Sequence, residues 1–403
     1  MKILGLEITR AEKRQASQLN PYYNSFYGYG FGTSSVDIDS VSGIASWNRC
    51  SQILAGTISG LPKHLVETTE NDRKTIYDNP SVPLITDMAN QNMNSYNWHE
   101  YMMQSVINYG NGYSLIRRNA QYQPIGLSIV HPDNVTVYVY DDAVVYEVQY
   151  QEKGTIKVLY EDMYHIKGLS HNGYVGINPI QAYKNQLGAT ISAQKYGKNS
   201  YDKGFLSSGY LELEGSLNEE TKRNLRENWA NVSLGADNMG TPVLDKGQKY
   251  VPLKMNHQDA QYLDDRKFQK AEIATMLGVP THLVNEMGDA KYNNVENTNT
   301  QFVQYTIMNY VHKFEEENKK LLREDQRMRY KWRYDVNGLM RGDMAARGEF
   351  YAKGIQNSWL KPSEARNMED LQGGIDDYLL SINNQVPFGE REDYKPNNKG
   401  ANE

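Results

Sequence analysis

The sequence predicts an α+β fold, because two kinds of hydrophobic periodicity follow each other along one chain. From residue 44 to residue 61 apolar and small residues recur every three or four positions, as on one face of a helix. From residue 113 to residue 167 the period shortens to two, in the segments "VTVYVY", "VVYEVQY" and "TIKVLY". Alternating segments of this kind, joined by short turns, predict an antiparallel meander. The helix-face residues are Ile44, Trp47, Ser51, Leu54, Ile58 and Leu61.

Further helices are predicted from capping signals. A second helix begins near Asn97, with Glu100 as a capping partner, and stops at the "GNG" of residues 110–112. A third begins at Asn178, with Pro179 in its first turn. Ser216 with Glu219 predicts the start of a helix inside a compact insert over 205–257.

Another helix is predicted over 258–277, followed by an unusually polar stretch, "NEMGDAKYNNVENTNTQ". Thr298 with Gln301 predicts the start of a long amphipathic helix after that stretch. Later, "YKWRYDV" predicts a strand and residues 341–357 predict a helix. Polar stretches of this length between helices serve as linkers or as functional loops.

Composition excludes several classes of protein. The mean hydropathy is −0.72, and no apolar run approaches the roughly 18 residues that suggest a membrane span. The N-terminus turns polar within a few residues, so a secretory signal peptide is not expected. The only cysteine, Cys50, excludes an intramolecular disulfide framework and is expected in the core. A formal charge of −6 argues against a protein that coats nucleic acid with cations, although a protein that handles DNA without gripping it remains allowed.

A search for catalytic motifs finds none that is convincing. His165 and His171 lack other ligands at zinc-site spacing, so satisfied or exposed histidines are expected. Gly28, Gly30 and Gly32 do not have the spacing or the preceding strand of a nucleotide loop. The cluster from Asp264 to Lys267 has the composition of a metal-dependent nuclease site, but its period is helical and a solvated helix face is the better interpretation.

Several passages together carry a family resemblance. They are "SWNRCSQILAGTISGLPKHL", "INYGNGYSLIRR", "GLSIVHPDNVTV", "YEDMYHIKGLSHNGYVGINPI", "ATMLGVPTHLV" and "YDVNGLMRGDMAARGEFYAKGIQNSWLKPSEARNMEDL". In this order, from about Val41 to Tyr378, the chain resembles the HK97-type portal proteins of tailed double-stranded DNA phages. The "SWLKPSEAR" segment departs from the family in having Trp359 and Pro362 where a more glycine-like turn is expected.

The resemblance implies a portal fold with wing, stem, α/β clip and helical crown, and a subunit that assembles into a ring, usually dodecameric. Mapped onto this sequence, it gives a flexible arm at 1–39, the wing at 40–177, stem helices at 178–204 and 258–285, the clip at 205–257, a channel (tunnel) loop at 286–297, a long helix returning to the wing at 298–339, the crown at 340–385 and a disordered tail at 386–403.

The resemblance also implies which residues carry function. The channel loop would present Asp289, Lys291, Asn293, Asn294 and Asn297 to DNA, where amides meet phosphates without holding them. Lys195 and Lys198 follow Lys184 by 11 and 14 positions, so the three lysines share one helix face. Two interpretations of these lysines stay open: channel-facing, or solvated and intersubunit. In the clip, Arg223, Arg226 and Trp229 form a possible protein interface, with a core position as the alternative for Trp229.

The implied partners are further copies of the chain, double-stranded DNA, the large terminase, head-completion or adaptor proteins and the major capsid protein. No membrane, metal or cofactor is expected, and the expected location is the portal vertex of the virion after assembly in the host cytoplasm. Two other classes remain as alternatives: a metal-dependent nucleic-acid-processing enzyme using Asp264 and Asp265, and a head or tail structural protein that does not form rings.

Overall fold

The computed structural model describes residues 2–3, 6–7, 17–18, 36–68, 73–140, 143–150, 154–202, 209–213, 218–234, 248–252, 258–284, 292–340, 344–357, 359–369 and 371. The chain divides into two compact units, Met1–Asp335 and Val336–Glu403. Most of the predicted arm, the glycines of residues 28–32 and the whole predicted tail lie outside the described residues.

Helices are distributed along the described chain as follows: α1 (Ile38–Ser42), α2 (Ala45–Gly60), α3 (Ser81–Thr86), α4 (Ser95–Tyr109), α5 (Pro179–Ala182), α6 (Lys184–Asp202), α7 (Glu219–Leu234), α8 (Gln258–Leu277), α9 (Tyr292–Phe302), α10 (Met308–Glu317), α11 (Glu324–Arg327), α12 (Asn337–Met340), α13 (Met344–Gln356) and α14 (Pro362–Met368). A π-helical segment, Val303–Ile307, joins α9 to α10, and 3₁₀ turns occupy Thr281–Val284 and Asn318–Leu321.

The strands are short and all pair antiparallel: β1 (Lys2–Ile3), β2 (Leu6–Glu7), β3 (Ser17–Gln18), β4 (Lys63–Thr68), β5 (Arg73–Ile76), β6 (Met88–Asn90), β7 (Met93–Asn94), β8 (Asn111–Arg118), β9 (Pro124–Val130), β10 (Val135–Val139), β11 (Val144–Tyr150), β12 (Gly154–Leu159), β13 (Met163–Lys167), β14 (Gly209–Leu213), β15 (Gln248–Pro252) and β16 (Tyr330–Tyr334). The larger sheets have the orders β12-β11-β10-β3, β13-β8-β9 and β16-β4-β5. The predicted meander, β10 to β12, is confirmed.

Helices α2 and α4 form the centre of the first unit and carry the apolar faces that the sequence predicts. Trp47 Nε1 donates a hydrogen bond to Asn108 Oδ1 at 3.1 Å, which satisfies an indole that would otherwise be buried without a partner. Cys50 is fully buried in α2, as predicted, and burial raises the pKa of its thiol to about 11. The other large buried apolar side chains of the two helices are Leu54, Ile58, Trp98, Met102, Met103, Val106 and Ile107.

Three predicted helix starts are wrong, although each helix exists. Helix α4 begins at Ser95, because the Asn94 side chain accepts from the backbone N–H of Asn97 at 2.7 Å. Helix α7 begins at Glu219, where Asn218 rather than Ser216 accepts from the Thr221 N–H at 2.9 Å. In both cases the asparagine lies three residues before the N–H that it caps, as an N-cap side chain must.

The third error concerns Thr298, which lies inside α9 and not at the start of a helix. The helix begins at Tyr292 and continues through the π segment into α10, so the predicted loop over 286–297 is helical in its second half. Asparagine and threonine have weak helix propensity, and tertiary context overrides such preferences. Here Phe302, Val303 and Ile307 are buried and hold the helix in place.

The second unit contains two helices, α13 and α14, that are joined by a tight turn. The turn is stabilised by the Gly354 carbonyl, which accepts from the backbone N–H groups of Trp359 and Leu360 at 3.1 and 3.2 Å. Trp359 packs edge-on against Phe350 with ring centroids 5.1 Å apart, and a Cβ on Gly354 would meet the indole at 3.0 Å. Trp359 and Pro362, which depart from the family pattern, therefore close the turn and open α14.

Candidate functional site

Residues 278–284 and the helix that follows residue 291 lie side by side as the two arms of a hairpin. Helix α8 ends at Leu277, and Gly278 follows it in the left-handed conformation, with φ +66°, which residues with a Cβ rarely adopt. A Cβ at Gly278 would also meet Thr306 Oγ1 at 2.9 Å. The Thr306 hydroxyl instead donates to the Gly278 carbonyl at 2.8 Å, so the π segment and the end of α8 are joined.

A second hydrogen bond joins the two arms of the hairpin. His282 Nε2 lies 2.9 Å from Asn299 Oδ1, linking the 3₁₀ turn after α8 to the middle of α9. Val279 and Val284, on either side of His282 in the sequence, are buried. The hairpin is therefore fixed along both of its arms, and the connecting residues 285–291 lie outside the described residues.

Only some of the predicted channel residues belong to the part of the chain that the structure describes. Asp289 and Lys291 lie outside the described residues. Asn293 and Asn294 lie in the first turn of α9, and Asn297 lies one turn further on with its side chain exposed. The structure thus places these three residues on helix α9, and not in the loop that the sequence predicts.

Behind α9, helix α10 is anchored by buried polar groups. The Glu315 carboxylate accepts from the Tyr334 backbone N–H and from Arg333 Nη1, each at 3.0 Å, so it covers the open edge of strand β16. Lys313 Nζ donates to the carbonyls of Lys167 and Gly168 at 2.8 and 3.0 Å. Helix α10 is thereby fixed to two different sheets, and a rigid support lies behind the hairpin.

Asn318 and its neighbours complete this anchor. The Tyr164 hydroxyl donates to Asn318 Oδ1 at 2.8 Å, and Asn318 Nδ2 donates to the Tyr334 oxygen at 3.1 Å. The Tyr334 hydroxyl lies 2.8 Å from His99 Nε2. Because His99 Nδ1 faces the Ser95 carbonyl at 2.7 Å and must donate to it, Nε2 is the acceptor and the whole chain of hydrogen bonds is satisfied with a neutral imidazole.

His165, for which the sequence predicts no metal-binding role, also has a structural role. His165 Nε2 donates to Asn111 Oδ1 at 3.0 Å, and its Nδ1 accepts from the Tyr146 hydroxyl at 3.1 Å. Burial is the main cause that lowers the pKa of His165 well below its ordinary value. His171 is exposed. Among the described residues there is no group of three or more His, Cys, Asp or Glu side chains placed to hold a metal ion.

Helix α6 carries the predicted lysine face. Leu187 and Ile191, in the first half of the helix, are buried against the body. Lys184, Lys195 and Lys198 are all exposed. The single helix that the spacing argument required is therefore present, while the partner of the lysines stays a prediction.

The Asp264–Lys267 cluster lies within α8, and all four side chains are exposed. The helical interpretation is confirmed, and the cluster does not stand at a strand end as the nuclease alternative requires. In α7, Arg223 is exposed, whereas the side chains of Arg226 and Trp229 lie outside the described ones. None of the described helices is long and apolar enough to cross a membrane.

Comparison with known proteins decides the family. The phage portal protein family matches residues 46–370. This chain belongs to that family. The portal chain is 29% identical over 398 residues to the portal protein of Enterobacteria phage HK97, covering 96% of this chain and 92% of that protein. Portal proteins are structural proteins, and the resemblance seen in the sequence is confirmed.

Two solved structures share the portal fold of this chain. One is the neck of an empty GTA (gene transfer agent) particle computed with C6 symmetry, with a TM-score of 0.57, 20% identity, and coverage of 83% of this chain and 92% of that one. The other is the neck of a native GTA particle computed with C12 symmetry, with a TM-score of 0.53, 19% identity, and coverage of 84% and 94%. The α+β portal fold expected from the sequence is confirmed.

The sequence missed the contacts that build the site. The Thr306–Gly278 and His282–Asn299 hydrogen bonds join residues that are distant in sequence and belong to no motif. The exposed face of α8 around Phe268 was also missed, although its spacing was visible. Asp264, Asp265, Phe268, Glu272 and Thr275 follow one another at intervals of one, three, four and three residues.

Proposed function

We propose that this portal chain assembles into a closed ring, twelve copies in the usual case, at one vertex of a virion capsid. Double-stranded DNA would enter through the central channel during packaging and leave through it at ejection. The family assignment supports this proposal, and so does the likeness to a neck computed with C12 symmetry. A ring repeats each axis-facing side chain around a circle, so few residues per subunit suffice to line a channel.

The anchored hairpin is the observation that carries the channel assignment. Its base is fixed by the Thr306 and His282 contacts, and its support by Glu315 and Lys313. A polar segment whose two ends are anchored can contact DNA closely without being displaced by it. We assign the channel lining to residues 286–297, with Asp289, Lys291, Asn293, Asn294 and Asn297 as the contacting residues.

The chemistry of these residues suits passage better than retention. Contacts to phosphates carry no sequence information, and each phosphate that is neutralised strengthens binding. Asp289 and Lys291 offset one another in charge, and the asparagine amides contribute hydrogen bonds without net charge. Such a lining lets any DNA sequence move, as a conduit for a whole genome requires.

The other regions keep the roles implied by the family. Residues 40–177 would form the wing and contact the major capsid protein, and 340–385 the crown. The insert 205–257 would be the clip that docks the large terminase and later the head-completion or adaptor proteins, with Arg223, Arg226 and Trp229 at that surface. We assign no catalytic activity or cofactor to the chain, so the energy for packaging would come from a separate ATPase, with assembly in the host cytoplasm before the ring enters the virion.

Negative-stain electron microscopy of the purified chain, with size-exclusion chromatography and light scattering, tests the proposal. Rings with a central hole are the expected result. A monomer or small oligomer at every protein concentration and salt would overturn it in favour of a structural protein that does not form rings. Metal-dependent cleavage of DNA that disappears in the Asp264→Asn, Asp265→Asn variant would instead favour the enzyme alternative.

A further inference from the structure

Helices α6 and α8 lie on the two sides of one cleft in the first unit. Among the side chains that the structure describes in these two helices, the buried apolar ones lie in the first half of α6, at Leu187 and Ile191, and in the second half of α8, at Ile273, Ala274 and Leu277. The two helices therefore run in opposite directions. Thr190, Ala193 and Gln194 of α6 and Arg266, Gln269 and Lys270 of α8 line the two sides of one cleft of about 60 Å³, with Ala45 and Ser46 of α2 also lining it.

This cleft fixes which faces of the pair point away from each other. On α8 the cleft is lined by Arg266, Gln269 and Lys270. Phe268 lies about 160° around the helix from both Arg266 and Lys270, so it points away from α6. Its side chain is 67% exposed, a large apolar surface for one residue to leave in water.

Carboxylates surround this exposed ring. Asp264 and Glu272 lie four residues before and after Phe268, and Asp265 lies three residues before it, all within about 60° of the same helix face. Asp264 and Asp265 are exposed and Glu272 is half-buried. An aromatic ring bordered by three carboxylates is suited to a lysine side chain, because the ring packs on the aliphatic stem and both ring and carboxylates attract the ammonium group.

The opposite edge of the pair carries lysines. On α6 the cleft is lined by Thr190, Ala193 and Gln194. Lys195 lies about 145° and Lys198 about 85° around the helix from the mean direction of those three residues, so Lys195 points away from α8 and Lys198 points to the side. Both are exposed. The helix pair thus has an acidic, aromatic edge on α8 and a cationic edge on α6.

The two edges also stand at the same level along the helices. The cleft-lining residues of α6 centre on residue 192 and those of α8 on residue 268, so these two positions mark the same level of the two helices. Because the helices are antiparallel, moving three residues further along α6 and three residues back along α8, about 4.5 Å each, brings Lys195 level with Asp265. Rotation about a ring axis moves a subunit sideways without raising it. If the pair stands along that axis, Lys195 of one copy is level with Asp264 and Asp265 of the next.

From this geometry we propose that the Phe268 face of α8, with Asp264, Asp265 and Glu272, binds the Lys195–Lys198 edge of α6 in the neighbouring copy of the chain. A ring needs two different surfaces on each subunit, one for each neighbour, and these two edges are complementary in charge. The inference rests on the proposed function, since it presumes the ring. It assigns Lys195 and Lys198 to the contact between subunits and not to the DNA channel.

A charge-exchange experiment tests the contact in the full chain. One variant carries Asp264→Lys and Asp265→Lys, which makes both edges cationic, and another carries Lys195→Glu and Lys198→Glu, which makes both acidic. Each variant alone is expected to lose ring formation by about tenfold or more, because like charges then face one another. Mixing the two variants restores rings, since each copy now finds an opposite edge on both sides. The fourfold variant, with the charges exchanged within one chain, also forms rings by itself.

Glu324→Lys with Asp325→Lys is the matched control, because these are also adjacent exposed carboxylates of one helix. It is expected to form rings like the unmodified chain, and circular dichroism confirms that every variant is folded. Failure of the mixture and of the fourfold variant to assemble overturns the contact, as do intact rings in both single-edge variants. Intact rings of the Lys195→Glu, Lys198→Glu variant that retain less DNA would assign the lysines to the channel instead. Absence of rings from the unmodified chain would overturn the proposed function itself.

Discussion

The Tyr334 hydroxyl lies 2.8 Å from His99 Nε2 across 235 residues of sequence, and this contact joins strand β16 to helix α4. The same oxygen accepts from Asn318 Nδ2 at 3.1 Å, so it also reaches the end of α10. Both rings are fully buried or nearly so. One hydroxyl therefore ties together the three elements that support the hairpin of the proposed channel.

Removal of that hydroxyl should destabilise the first unit. In the Tyr334→Phe variant, His99 Nε2 loses its donor and Asn318 Nδ2 loses its acceptor, and both groups stay buried. Leaving a buried polar group without a partner costs about 1–3 kcal/mol. Urea unfolding followed by circular dichroism should show a loss of that size. The control is Tyr77→Phe, because Tyr77 is 74% exposed. An equal, small effect in both variants would contradict the role given to the contact.

Acid should weaken the same unit through its buried histidines. Burial is the main cause that lowers the pKa of His99 and His165 well below the ordinary value of 6.5. In the unfolded chain each imidazole binds a proton as the pH falls below about 6.5, while the folded chain does not. The unfolded state therefore gains protons first, and the free energy of unfolding falls with decreasing pH by up to about 1.4 kcal/mol per pH unit for each histidine.

The measurement is the free energy of unfolding in urea at several values between about pH 7 and pH 5, the range below the ordinary imidazole pKa. His165→Gln should flatten the slope, because glutamine keeps hydrogen-bonding capacity near Asn111 and Tyr146 but cannot titrate. His171→Gln, in an exposed loop, is the matched control and should leave the slope as it is. A slope that survives the His165 substitution unchanged would show that other groups cause it.

Gly110 should tolerate no side chain. It ends α4 with φ +79°, and a Cβ there would lie 1.9 Å from the Ile177 carbonyl oxygen. Gly154 has a similar φ of +70° but open space around it. Gly154→Ala should therefore cost about 1 kcal/mol for the left-handed backbone alone. Gly110→Ala should cost several times more or prevent soluble expression, because the backbone near Ile177 must also move. Equal melting temperatures of the two variants would be inconsistent with this close approach.

Local periodicity was enough to predict the helices α2, α4 and α8 and the meander from β10 to β12, because each buries one regular face. It was not enough to locate the caps. Asn94 and Asn97 are both good N-cap residues, and only the packed start of α4 distinguishes them. The polar sequence before Thr298 likewise has the composition of a loop. Helix α9 is held in place by the buried Phe302 and Val303 and by the contact with His282, and patterns in neighbouring residues do not reveal such tertiary contacts.

The candidate site was predictable only in outline. A polar stretch between two helices marked residues 286–297, yet the hairpin base depends on Thr306 reaching back 28 residues to Gly278. The lysines of α6 were visible as one face, but their direction depends on where α8 lies. The cleft shared by the two helices defines the direction in which the lysines of α6 point, and on α8 the face around Phe268 lies opposite the cleft.

Lys291, in the segment that connects the two arms of the hairpin, provides the most direct test of the channel itself. The Lys291→Ala variant should assemble normal rings, because the Thr306 and His282 contacts that join the arms do not involve it. Filled particles that contain it should retain DNA less well. Each lost phosphate contact lowers the slope of log affinity against log salt by about 0.9 for duplex DNA. The ratio of filled to empty heads across a series of salt concentrations measures this effect.

The control for Lys291→Ala is Lys157→Ala, an exposed lysine of strand β12. Both substitutions remove one positive charge per subunit, so a general effect of charge on the particle would appear in both. Loss of DNA retention that is confined to Lys291→Ala would indicate that this lysine contacts DNA, because the two substitutions remove the same charge and differ only in its position. Retention equal to that of the unmodified ring at every salt concentration would remove Lys291 from the channel lining and leave the asparagines of α9 as the contacts to test.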